Sequence, residues 1–287
     1  LAALFGFVQF DFAGVLPLAD GRYLSRDAVG ESVLVVKTVG APRPPARRRR
    51  RARAAEPDAP DSPLPLVRAT AIRAFAPFAG AAEARRWLEE ATEADETVDV
   101  LVTDGIGLLN RALHLRAVAD ADPHAHQLAP ERAVAVRLGY GSGEETAEGE
   151  FAEAREVDVR GAASRRRRQE ELQPQERLAA VLGGRESVDA CETLLLRARA
   201  DLDAERAREA ALQLRVGLEA LLVELRDAVA DPGHERDMGV LEEHRAQAIE
   251  IAEAAVRGEL SPAQRDDLQE LLEIGERVLR RRRVLRP

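Results

Sequence analysis

The chain opens on alternating apolar and polar positions. Leu4, Val8, Phe10 and Phe12 occupy even positions, with Gly6 among them, while Gln9 and Asp11 fall on the other face. A repeat of two is the signature of a half-buried strand. Asp20-Gly21 separates Leu16-Pro17-Leu18 from Tyr23-Leu24. Glycine tolerates the positive φ of a tight turn, so this pattern predicts a hairpin. The valine-rich run Ser32 to Val39 predicts a third strand, and Leu66 to Phe75, where Leu66, Thr70 and Ile72 alternate with Arg73, predicts a fourth. These four strands are expected to form a small antiparallel sheet.

After Gly80 the period changes to that of a helix. Ala81 to Ala94 is one predicted helix; a second starts at Val98, where Val98, Leu101, Gly105, Leu108, Ala112, Leu115 and Ala119 recur at spacings of three and four. Asp122-Pro123 ends it, and Glu131 to Leu138 reads as a short helix stopped by Gly139. The last third is the most regular. Helices are predicted over Glu186 to Ala200 and Glu205 to Ala230, the latter with the stripe Ala211, Leu214, Leu218, Leu221, Leu225 and Val229. Asp231-Pro232-Gly233 reads as a stop. A further helix covers Met238 to Val256, and a last one starts at Ser261-Pro262, with serine as N-cap and proline at the first helical position.

The resulting expectation is an α+β chain: a β-rich module over 1–80, a helical segment over 81–138, a Gly/Arg-rich linker over 139–175 and a helical bundle over 176–287, with coiled-coil-like stripes. Inside the first module, residues 41–63 hold six prolines around Arg47 to Arg51. Such a segment lacks donors and repels itself, which predicts a disordered loop between strands three and four.

Composition sharpens this division. The 287 residues are 32% charged and 3% aromatic, with net charge −9. Residues 1–80 nevertheless carry 12 basic and 7 acidic groups, and 81–287 carry 30 basic and 44 acidic, so a basic front joins an acidic body. Six of the seven phenylalanines lie before Gly80. Cys191 stands alone, which excludes an internal disulfide and a cysteine-based zinc site and points to a reducing cytoplasm. Gln9 and Asp11 interrupt the apolar start, no basic region precedes it, and no stretch is long enough to span a membrane.

Candidate chemistry is sparse. Val98 to Gly107 could be a strand entering a nucleotide-binding loop, but Asn110 stands where the third glycine belongs, and the helical stripe runs through it. Gly139-Tyr140-Gly141-Ser142-Gly143 could cradle a phosphate, yet Glu144 and Glu145 follow at once, which favours a flexible helix terminator. His114, Asp120, His124 and His126 are the one group with metal-ligand chemistry, set against a solvated polar turn. Cys191, on an apolar helix face, reads as a buried inert thiol. Three arginine runs remain: Arg47, Arg48, Arg49, Arg50, Arg51 with Arg53; Arg165 to Arg168; and Arg280 to Arg283. Guanidinium groups bind phosphates bidentately, so the first run is the candidate nucleic-acid arm. With no catalytic set and no cofactor implied, the leading expectation is a non-catalytic structural or protein-interaction module that binds a protein partner, or its own copy, through helical stripes. The alternatives are a nucleic-acid or ribosome-associated protein and a metal-dependent enzyme.

Overall fold

A computed structural model describes residues 3–26, 30–39, 65–124, 126–159, 172–226 and 231–285. The loop expected over 41–63, with its arginine run at 47–53, and the run at 165–168 lie outside these residues. The chain divides into two compact units, Leu1–Gln169 and Glu170–Pro287.

The first unit is α+β. Strands β1 (Leu4–Ala13), β2 (Gly21–Arg26), β3 (Glu31–Val39) and β4 (Leu66–Phe78) precede helices α1 (Ala81–Glu93) and α2 (Asp95–Asp120); then come β5 (Ala135–Ser142), the one-turn helix α3 (Gly143–Ala147) and β6 (Glu153–Glu156). The sheet has six strands, not four, in the order β2-β3-β4-β1-β5-β6, with every neighbouring pair antiparallel. β1 lies between β4 and β5 and is buried on both faces from Gly6 to Phe12, which corrects the half-buried expectation. Val8, Phe10, Val36, Ala69 and Val136 share one face and pack under Leu88, Leu101, Ile106 and Leu109 of α1 and α2.

The expected helix over Glu131 to Leu138 is instead a 3-10 turn, Pro130–Arg132, followed by β5. Pairing decides this: Val136 sits opposite Phe10 and Leu138 opposite Val8, so alternate residues of 135–142 are drawn into the core. The glycines of that stretch serve the sheet and not a helix end. A Cβ at Gly139 would lie 2.6 Å from both the Glu153 carbonyl oxygen and Phe7 Cζ. The anticipated hairpin also moves. Leu16 to Leu18 forms no strand, the hairpin joins β2 to β3, and Asp20 instead accepts from Thr38 N at 3.0 Å and Thr38 Oγ1 at 2.8 Å.

α2 forms where its periodicity predicts, through Gly105, but its buried face is rotated toward Val102, Ile106, Leu109 and Leu113, leaving Leu115 exposed. Gly105 meets the sheet: a Cβ there would be 3.0 Å from Val8 Cβ.

The second unit is helical: α4 (Leu172–Leu182), α5 (Ala190–Asp203), α6 (Ala207–Glu224), α7 (Pro232–Glu243), α8 (Arg245–Arg257) and α9 (Pro262–Leu285). The expected stripe is buried from Ala211 to Leu225, its last member Val229 lying outside the described residues, and packs with Leu195, Leu241, Ile251, Leu268 and Leu272. Two details differ from expectation. The single helix over Met238 to Val256 is two helices that meet at His244, and Asp231-Pro232-Gly233 starts α7 rather than merely stopping its predecessor. Asp231 is an N-cap accepting from His234 N at 2.8 Å, and Pro232 takes the first helical position, where no N–H is needed. Ser261 caps α9 as anticipated, its hydroxyl accepting from Gln264 N while Gln264 Oε1 accepts from Ser261 N.

Candidate functional site

The sheet face turned away from α1 and α2 carries the unusual chemistry of the first unit. Strand register aligns Arg22, Val35, Thr70, Gln9, Arg137 and Glu156 in one row and Lys37, Arg68, Asp11 and Ala135 in the next. Asp11, its side chain 8% exposed, sits between two guanidinium groups. Its Oδ1 accepts from Arg68 Nε at 2.8 Å, and its Oδ2 accepts from Arg68 Nη2 at 3.1 Å and from Arg137 Nη1 at 2.7 Å. Burial alone would raise the Asp11 carboxyl; the hydrogen bonds and positive charges of Arg68 and Arg137 outweigh it and hold the group below its ordinary value. The exposed Glu156 reaches Arg137 Nη2 at 3.6 Å.

Residues 143–152 lie over the middle of this face. Ser142 and Glu145 close a capping box at the start of α3, so the glutamate that argued against a phosphate loop is a helix cap. At the other end of α3 three successive carbonyls accept from three different strands: Ala147 O from Arg22 Nε at 3.1 Å, Glu148 O from Lys37 Nζ at 3.1 Å and Gly149 O from Gln9 Nε2 at 3.0 Å. The Glu148 carboxylate also bridges Arg22 Nη2 at 2.7 Å and Lys37 Nζ at 3.6 Å. Beyond it Phe151, the one phenylalanine after Gly80, stacks obliquely on Phe7 at 6.0 Å. On the helix-facing side, Tyr140 donates to Glu153 Oε2 at 2.8 Å; burial and this carboxylate both push the phenol up.

The metal-type residues are arranged differently from a ligand set. His114 lies on α2; Asp120 Oδ2 pairs with Arg116 Nε at 2.5 Å; His124 N donates to Asp122 Oδ1 at 2.9 Å; and the His126 ring donates to the His124 carbonyl. Among the described residues no group of three or more His, Cys, Asp or Glu is placed to hold a metal ion.

In the helical unit the charged groups tie helices together. Arg177 meets Glu192 Oε1 at 2.8 Å and Oε2 at 2.6 Å, Arg199 meets Glu276 at 2.7 Å, and Arg281 meets Asp237 at 2.8 Å. Arg282 pairs with Asp189. Two members of the third arginine run are therefore internal partners of carboxylates. Cys191 lies in the first turn of α5, where helix N–H groups can activate a thiol. Here Glu224 accepts from Ala190 N at 3.2 Å and Cys191 N at 3.0 Å, and burial together with that carboxylate pushes the thiol up to about 12.

Fold and site together define an α+β unit with a charged, partly covered sheet face, followed in sequence by a helical unit. Comparison with protein-family models, with curated proteins and with solved structures finds no match for this chain. No helix among the described residues is long and apolar enough to cross a membrane.

Sequence reasoning passed over the Asp11–Arg68–Arg137 cluster. Its signal was present in Gln9 and Asp11, two polar residues alternating with phenylalanines. Reading 131–138 as a helix removed the strand that brings Arg137 to them.

Proposed function

We infer that this chain is a non-catalytic interaction protein that binds a protein partner through its helical unit. The observation that carries this reading is the outer face of α6. Leu212, Val216 and Val223 recur there at helical spacing, and Val223 is 79% exposed, while the opposite stripe of the same helix fills the core. Apolar side chains repeated on one exposed face favour association. The buried charges support it from the other side, since Asp11, Glu192, Asp237 and Arg282 are each committed to an ion pair. Affinity purification from the native cell, with and without nuclease, tests the reading. A nuclease-resistant partner lost on Val216→Asp supports it; a measured turnover, or a stoichiometric bound metal or nucleotide in the purified protein, overturns it.

A second reading, nucleic-acid or ribosome association through Arg47 to Arg51 and Arg53, is favoured by one observation. The connection that carries this run joins β3 to β4, which end at Val39 and begin at Leu66, beside Lys37 and Arg68 on the charged sheet face. Binding that falls steeply with salt and weakens when Arg47 to Arg51 become glutamine supports it; salt-insensitive or absent binding rejects it.

A further inference from the structure

Along α6 and the turn that ends it, the outward positions step by three and four residues: Glu209, Leu212, Val216, Glu219, Val223 and Arg226. That is the a/d spacing of a seam on which one helix packs against another. The seam is separate from the stripe that fills the core. Leu212 is 40% exposed, Val216 54% and Val223 79%, while Ala211, Leu214 and Leu218 on the other side are buried.

In chain order the seam reads acid, apolar, apolar, acid, apolar, base, and this order matches its own reverse at the ends. Laid antiparallel on a second copy, with a two-fold axis midway between Gly217 and Leu218, it sets Leu212 opposite Val223 and Glu209 opposite Arg226, each pair occurring twice. Val216 then faces Glu219 of the second copy. Other arrangements are penalised. Parallel packing sets each position on its own copy, so Glu209, Glu219 and Arg226 all meet like charges. Sliding the antiparallel copy by one heptad sets Glu209 against Glu219 in one direction and Arg226 against Val216 in the other.

The rim agrees with this register. Glu219 turns its carboxylate to Arg245 of α8, at 2.7 and 2.6 Å, so the stem of the glutamate is what Val216 of the second copy meets. Arg226 reaches Glu242 at 3.2 Å and is 66% exposed; its guanidinium has donors left for a second carboxylate. On the α8 side the exposed Val256 widens the apolar strip, next to Ala255, whose carbonyl accepts from Arg208 at 2.8 Å.

We propose that the partner of this face is a second copy of the chain, bound antiparallel along α6 with Leu212 against Val223 and Glu209 against Arg226. This rests on the reading of the α6 face as an association surface and names what that surface takes. The 18 residues of α6 span about 27 Å, and a strip of that length about 10 Å wide is roughly 270 Å² on each copy. A standard stable interface takes about 800 Å² from each partner, so the dimer is a weak, exchanging one with a Kd in the micromolar range.

The experiment is sedimentation velocity on the full chain from about 2 to about 200 µM. The average mass is expected to rise with concentration toward twice that of one chain. Val216→Asp is expected to remain monomeric throughout while its circular dichroism and melting stay those of wild type. Glu209→Arg and Arg226→Glu, each alone, set two like-charge pairs across the axis and are expected to weaken association about tenfold. Mixing these two variants restores both opposite pairs and is expected to return the affinity to the wild-type value, a rescue that misfolding does not produce. Charge variants as tightly associated as wild type, or a dimer that survives Val216→Asp, overturn the proposal. A chain that is monomeric at every concentration, yet captures a different protein that Val216→Asp loses, overturns the homodimer and leaves the association surface standing. A monomer that captures nothing overturns both.

Discussion

Replacing Asp11 by asparagine is the sharpest test of the charged sheet face as a structural element. The side chain keeps its shape and loses its charge, leaving Arg68 and Arg137, with side chains 27% and 22% exposed, facing each other without the carboxylate between them. Of the three hydrogen bonds at 2.8, 3.1 and 2.7 Å, at least one is lost, because the amide NH2 that replaces a carboxylate oxygen cannot accept, and the others lose their charge assistance. Removing one partner of a fully buried pair costs roughly 3–5 kcal/mol. The two arginines retain some water, which places Asp11→Asn at the lower end, about 3 kcal/mol. Trp87, the only tryptophan, packs on Phe78 at 5.3 Å within the first unit, so its emission reports the unfolding of that unit alone. With a urea slope of about 2 kcal/mol per molar, the Trp87 midpoint is expected to fall by about 1.5 M.

The pH dependence adds a second constraint. Because the folded Asp11 carboxyl is held below its ordinary value of 3.8, its contribution is complete above that value and is lost as pH falls through the folded one. The gap between wild type and Asp11→Asn is therefore constant near neutrality and closes below the ordinary value. A midpoint shift worth less than about 0.5 kcal/mol at pH 7 refutes the argument, as does a gap that persists into strong acid.

Other positions are equally open to measurement. Gly139→Ala drives a methyl group to 2.6 Å from the Glu153 backbone; it is expected to destabilise the first unit by about 3 kcal/mol, read again from Trp87 in urea. Ser261→Ala removes the cap of α9 and is expected to cost about 1 kcal/mol of helical stability, seen by circular dichroism on melting. The Cys191 thiol, pushed up to about 12 and buried, is expected to resist alkylation at pH 8 in the native protein and to react fully in denaturant; rapid labelling of the folded chain contradicts its placement.

The helical unit was largely legible because its information is local. The stripe from Ala211 to Leu225 and the Ser261-Pro262 start are read within one or two turns, and both stand where periodicity and capping put them. The division at His244 was not legible, since Met238 to Val256 keeps an apolar repeat across it and no proline or glycine marks the break. Nothing in the run Arg280 to Arg283 marks its partners: Asp237, which meets Arg281, and Asp189, which meets Arg282, lie 44 and 93 residues away, beyond the reach of pattern reading.

The sheet divides in the same way. Alternation by itself determined β1 and which of its residues share a face, because the period of two is a property of extended backbone, while the valine-rich run and the segment from Leu66 marked β3 and β4 without deciding which side each would bury. It also determined that α1 and α2 follow the strands as amphipathic helices. Only the tertiary structure decided that 135–142 is a strand, since Ala, Val, Arg and Leu there are compatible with either state, and pairing with Phe10 and Val8 settles it. With that strand in place, Asp11 meets Arg137 across 126 residues and Gln9 meets the Gly149 carbonyl across 140. A charge cluster depends on which strands become neighbours, and that choice is made by the burial of whole faces rather than by any short run of residues.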